Sequence, residues 1–226
     1  MAIIGDNLQA VRSRIARAAQ QARRDPAALV LLAVSKGQPA ARIDEARAAG
    51  QAAFGENYVQ EALAKMDALP RLEWHLIGPL QANKTRVVAE RFDWVQTVAS
   101  EKIARRLSEQ RPAGLPPLNV LLQINVSGEA TKSGVAPQDA LLLCERVLEL
   151  KNLRLRGLMA IPEPGAPRER FREVRTLYDQ LGGRFAFDTL SMGMSDDLEL
   201  AIAEGATLVR VGTAIFGSRS AARSAA

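Results

Sequence analysis

The chain has 226 residues, 47% hydrophobic, 24% charged and only 4% aromatic, with a net charge of +5 and a pI near 9.8. This is globular composition with a sizeable, mostly aliphatic core, and no apolar run approaches the roughly 18 residues that suggest a membrane span. The basic residues stand singly among helix-like segments (Arg12, Arg14, Arg17, Arg42, Arg47, Arg86), with no dense run, zinc-finger spacing or aromatic-rich RNA motif, so nucleic acid is not an expected partner.

The N-terminal stretch "MAIIGDNLQAVRSRIARAAQQARRD" has no apolar h-region and no cleavage signal. Its acidic residues and few serines also argue against a transit peptide. It reads as an amphipathic helix with Leu8, Val11, Ile15, Ala18, Ala19 and Ala22 on one face, and Asp6 and Gln9 resemble a capping box at its start. Eight apolar runs of strand length follow, each leading into a helix-like segment. They are "LVLLAVSK" (29–36), "AAF" (52–54), "EWHLIG" (73–78), "DWVQTV" (93–98), "LNVLLQINV" (118–126), "LRLRGLMAI" (153–161), "FDTLSM" (187–192) and "TLVRVG" (207–212). Such alternation means a parallel sheet with crossover helices.

Eight units without a half-way linker predict an α/β fold: a single-domain (β/α)8 TIM-type barrel over 1–226, with an extra N-terminal helix. A doubly wound open sheet is the alternative. Gly50 and Gly205 sit where helix C-caps are expected, and the tail 218–226 is expected to fray. The single cysteine, Cys144, allows no intramolecular disulfide and no cysteine metal cluster, and packs as a buried helix thiol. With no export signal, the expected location is cytoplasmic.

A barrel places its active residues at the carboxyl ends of the strands. The polar clusters "SKGQ", "GEN", "HLIGPLQANK", "NVSGEATKSG", "SMGMSDD" and "RVGTAIFG" all fall there. Lys36 stands at the end of the first run in a chain with six lysines against twenty-four arginines. An amine desolvated at a strand end has a lowered pKa, and a free amine attacks a carbonyl to form a Schiff base. The competing reading is a lysine snorkelling off the barrel rim.

Ser191, Gly193 and Ser195 lie at a turn into a helix, and Gly212 and Thr213 follow the last strand. These are the seventh and eighth loops, where barrels frequently hold phosphate. Arg210 either adds charge to that group or pairs with an acidic residue inside the barrel. A Schiff-base lysine with a phosphate site implies pyridoxal 5′-phosphate. Asn57 is open between a hydrogen bond to the ring hydroxyl and an N-cap. His75, the only histidine, points to the opposite face from Trp74 and reads as a satisfied core residue, with stacking or hydrogen bonding near the cofactor as the alternative, and a histidine metal centre or triad is not expected. Ser195, Asp196 and Asp197 read as a helix cap, and Glu129 with Lys132 as a loop ion pair.

The blocks "AVSKGQP", "FGENYVQEA", "WHLIGPLQANK", "NVSGEATKSG", "GLMAIP", "LSMGMSDDLELAI" and "VRVGTAIFG" together resemble the pyridoxal-phosphate homeostasis protein family, relatives of the alanine racemase N-terminal barrel. The resemblance runs to about Phe216, and Val211 replaces the family's usual isoleucine. It implies a modified barrel with pyridoxal phosphate on Lys36, phosphate contacts from Ser191, Met192, Gly193, Arg210, Gly212 and Thr213, and Asn57 beside the ring. It implies a role in buffering or delivering this vitamin B6 cofactor to apo enzymes in transient encounters, with effects on amino-acid and keto-acid balance. The alternative is a low-activity amino-acid racemase. Racemases of this barrel type use a tyrosine from a partner subunit's second domain. Here the chain ends after the eighth unit, and Tyr58 and Tyr178 lie in helix-like segments. The expectation is therefore a monomer that holds the cofactor, with no confident catalytic residue. Whether Arg210 meets the ring nitrogen or the phosphate stays open.

Overall fold

The structure, a computed structural model, describes residues 3–127 and 133–217. The tail 218–226 and the pair Glu129 and Lys132 lie outside the described residues. Helix α1 (Ile3–Gln21) precedes β1 (Val30–Val34), α2 (Ala40–Ala48), β2 (Ala53–Glu56), α3 (Val59–Ala68), β3 (Glu73–Leu76), α4 (Thr85–Arg91) and β4 (Trp94–Val98). Then come α5 (Glu101–Gln110), β5 (Leu118–Ile124), α6 (Ala140–Leu148), β6 (Leu153–Ala160), α7 (Arg168–Phe185), β7 (Thr189–Ser191), α8 (Leu198–Ala203), β8 (Leu208–Val211) and α9 (Thr213–Phe216). The eight strands run parallel in the order β1 to β8, and β1 pairs with β8 from Val30↔Leu208 to Ala33↔Val211, which closes the barrel. The doubly wound alternative is thereby excluded.

The strands are mainly apolar on their outer faces, which the helices cover, and mixed apolar and polar in the lumen. Outward residues such as Ala33, Phe54, Trp74, Val95, Leu122, Leu158 and Val209 join the large cluster beneath the helices. Inward residues form two small clusters in the lumen, Leu32–Ile77–Leu208 and Trp94–Leu121–Met159. Cys144 is buried on α6, and burial pushes its thiol up to about 12.

Two local expectations need correction. Helix α1 begins at Ile3, so Asp6 lies in its first turn and is not its cap. The reason is Ile4, only 2% exposed, whose burial draws the preceding turn into the helix. The first strand ends at Val34 rather than 36, because Ser35 to Gln38 form a turn. Gly50 and Gly205 close α2 and α8 with φ of +82° and +98°, as C-cap chemistry requires. Among the described residues no helix is long and apolar enough to cross a membrane.

Candidate functional site

Alternation along β1 decides where Lys36 goes. Leu32 faces the lumen and Ala33 the helix layer, so Val34 and Lys36 again face inward. The Gln38 N–H closes the turn on the Ser35 carbonyl at 3.0 Å. Gly37 has φ of +72°, the left-handed third position of a type II turn. Lys36 occupies the corner before it and, half-buried, lines a cleft of about 240 Å³ at the carboxyl ends of the strands. Asn57, Arg210, Gly212, Thr213, Ser195 and Asp196 line the same cleft.

Asn57 ends the strand side of the β2 loop. The N-cap of α3 is Tyr58, with no side-chain cap bond, so the N-cap reading of Asn57 fails. Its Oδ1 is buried in the cleft wall without a hydrogen-bond partner. A buried polar atom left alone is costly, and a ligand with a donor satisfies it. An adjoining cleft of about 310 Å³ shares Asn57, Ile77 and Ile161. A larger open depression of about 770 Å³ lies beside Gln51, Ala52 and Leu72, at the strands' amino ends. It holds none of Lys36, Asn57 and Arg210, and the smaller cleft is the site of interest.

Arg210 is 3% exposed on β8. Its Nη1 donates to Ser191 Oγ at 2.7 Å and its Nη2 to the Ala160 carbonyl at 2.9 Å. Burial pulls its pKa down to about 10, against the opposing charge of Asp197. Ser191 Oγ donates in turn to Gln96 Oε1 at 2.7 Å, and Gln96 Nε2 meets His75 Nδ1 at 2.8 Å. His75 Nε2 meets Glu73 Oε1 at 2.7 Å. Arginine only donates, so the direction of every link follows: Gln96 donates to Nδ1, and Nε2–H donates to the Glu73 carboxylate. The chain runs through the lumen from the cleft to the opposite mouth. His75 stacks on Trp94 with centroids 5.0 Å apart, as a satisfied core histidine.

The chain gives a pH test. Burial pushes the His75 pKa below its ordinary 6.5, against the pull of Glu73. The unfolded chain then takes up this proton at a higher pH than the folded one. The stability His75 supports is complete above about pH 6.5 and is lost as pH falls below that value. His75→Gln keeps a donor and an acceptor between Gln96 and Glu73 but removes the proton. In urea unfolding between pH 6.5 and 5, its loss of stability should be shallower by up to about 1.4 kcal/mol per pH unit. Equal slopes in the two proteins contradict this reading.

The remaining expected contacts divide. Gly212 and Thr213 border the cleft, and a Cβ on Gly212 would sit 3.1 Å from the Val34 carbonyl, so the backbone approaches β1 closely there. Ser191 faces the lumen through its hydroxyl, while Met192 is fully buried and its N–H bonds Leu208 O at 3.2 Å. Gly193 accepts the Arg210 N–H at 2.9 Å, and the loop reaches the cleft through Met194, Ser195 and Asp196. Asp197 precedes α8, but its side chain accepts the Met194 N–H instead of capping the helix. Sequence reasoning missed Gln96, and it missed the cluster of Glu56, Glu61 and Lys65 behind Lys36. The spacing Glu61–Lys65 in "EALAK" carries a signal for the latter.

Fold and site together define a closed parallel barrel whose cation-lined cleft sits at the carboxyl ends of its strands. Residues 7–220 match the family described as "Alanine racemase, N-terminal domain". The pyridoxal phosphate homeostasis protein of Pseudomonas aeruginosa is 61% identical over 225 residues, 97% of each chain. The protein of the same name from Escherichia coli K12 is 52% identical, covering 96% of this chain and 97% of that one. Among solved structures, PipY of Synechococcus elongatus with PLP bound superposes with a TM-score of 0.81 at 39% identity. That match covers 95% of this chain and 100% of PipY. An alanine racemase from Clostridium difficile shares the fold, with a TM-score of 0.76 at 13% identity over 96% of this chain and 57% of that one. The chain belongs to the pyridoxal phosphate homeostasis protein family, within the alanine racemase N-terminal domain family.

Proposed function

We propose that this chain binds pyridoxal 5′-phosphate, holds it as a Schiff base on Lys36 and serves in its homeostasis. The observation that carries this reading is one cleft with Lys36, the partnerless Asn57 Oδ1 and the buried Arg210 on its walls. The residues fit the cofactor's chemistry. The aldehyde condenses with the Lys36 amine, and the carbonyl oxygen leaves as water. Asn57 orients the ring through its amide. The loops at Ser191, Met192, Gly193, Gly212 and Thr213, with Arg210, provide for the phosphate. We read the ring nitrogen as the alternative partner of the Arg210 charge on the cleft wall. An arginine there keeps a ring nitrogen unprotonated, which favours storage over carbanion chemistry.

The names of the relatives support this reading. It extends to one cofactor-binding barrel spanning 1–226, a cytoplasmic monomer, and transient delivery to apo enzymes. Among the described residues, no tyrosine, cysteine or histidine lines the cleft. Tyr178 packs on Phe187 in the helix layer, and Tyr58 is 64% exposed. The tyrosine that racemases of this barrel type use across the ring is thus not supplied by the described residues of this cleft, whose one carboxylate is Asp196. Incubation of the loaded protein with single L-amino acids tests this: no accumulation of D-product is expected, and sustained turnover would make it a racemase.

A further inference from the structure

We propose that Lys65 is a positioning residue for Lys36, holding the backbone on both sides of it; this rests on Lys36 being the cofactor's anchor. Lys65 lies on α3 and is 5% exposed, a rare place for a lysine. Its Nζ donates to Ser35 O at 2.8 Å, Glu56 Oε1 at 2.7 Å and Glu61 Oε1 at 2.6 Å, so all three ammonium donors are used. Its two carboxylate partners reach the same turn. Glu56 Oε1 accepts the Ser35 hydroxyl at 2.6 Å, and Glu61 Oε1 accepts the Gly37 N–H at 2.6 Å. Ser35 is therefore tied by its carbonyl and its hydroxyl, and Gly37 by its amide. Lys36 is the one residue between them, with its side chain aimed the other way, into the cleft.

A buried ion pair is a poor means of adding stability, because desolvation consumes most of the attraction. Its gain here is conformational. A four-residue turn closed by a single backbone bond explores other geometries, and each one moves the Cα–Cβ direction of Lys36. Three charged side chains fixed on the turn remove that freedom before the ligand arrives, as preorganisation requires. The same cluster also excludes Lys65 as a competing nucleophile, since its nitrogen faces the helix layer and is fully engaged.

Lys65→Met alone leaves the buried Glu56 without its counter-charge, so the test is the double variant Glu56→Gln/Lys65→Met. Two readouts are taken. In the cofactor-free protein, amide hydrogen exchange at Gly37 and Gln38 should rise at least tenfold, with the amides of β5 and β8 unchanged. On mixing with pyridoxal phosphate, the rate of imine absorbance should fall at least tenfold, while rapid non-covalent quenching of Trp fluorescence persists. Unchanged exchange at Gly37 and Gln38 overturns the inference, as does an unchanged imine rate. If the double variant does not fold, Glu61→Ala, which releases the Gly37 amide and removes one of the three Lys65 acceptors from a partly exposed side chain, gives the same readings. Failure of the cofactor reading looks different: the unsubstituted protein then forms no imine at all, and the exchange arm still reports on the tether.

Discussion

Gly193→Ala should destabilise the protein by about 3 kcal/mol, lowering its melting temperature by roughly 6–12 °C. Gly193 has φ of +95°, where an L side chain is strained. Its added Cβ would also stand 2.5 Å from the Cβ of Ala201 on α8 and 3.5 Å from the Cα of Leu198. Neither atom is the end of a flexible chain, so α8 must retreat from β7. That helix packs beneath α1, and the Gly193 carbonyl also holds the Arg210 amide. The strain therefore spreads into the cleft, and affinity for pyridoxal phosphate should fall with stability. Gly114→Ala is the control. A Cβ there meets nothing within 4 Å, and the change should stay within about 0.5 kcal/mol. Thermal melts of the three proteins decide the matter; equal losses in both variants would contradict the packing argument.

Lys36→Ala should abolish the imine absorbance and weaken binding of pyridoxal phosphate about 100-fold, equivalent to roughly 2.7 kcal/mol. The loops and Arg210 remain, so non-covalent binding should persist. Linkage turns this into a melting experiment. With ligand at about 100 times the Kd of the unsubstituted protein, stabilisation should fall from about 2.7 to about 0.4 kcal/mol. A variant stabilised as much as the original protein would remove Lys36 from the account.

The barrel was legible because each strand is built mainly on apolar residues and bounded by polar loops, so that all eight runs are found within a few residues of their place. Lys36 was legible as an oddity, and the motif blocks supplied the Schiff-base role proposed for it. The inward alternation after Leu32 and the cleft it shares with Asn57 and Arg210, residues that lie on or just after three different strands, support the role proposed for it. The lumen chain was not legible. Gln96 in "DWVQTV" is a polar residue in an apolar run, but its partner Ser191 is 95 residues away. Nothing local encodes that contact. Lys65 is a similar case. It follows Ala62 on the buried stripe of α3, yet a lysine in "EALAKMDAL" reads as a solvated residue. Its burial depends on Glu56 and Ser35, which reach it only after β1 and β2 pair. The Asp6 cap was misplaced because a capping motif says nothing of whether the preceding Ile4 has a core to enter.

Chemical trapping shows whether Lys36 carries pyridoxal phosphate. The protein is loaded with the cofactor, reduced with borohydride, digested and mapped by mass spectrometry. One phosphopyridoxyl adduct is expected, on the peptide containing Lys36. A loaded protein whose adduct lies on another lysine with Lys36 unmodified, or that yields no adduct, would contradict it.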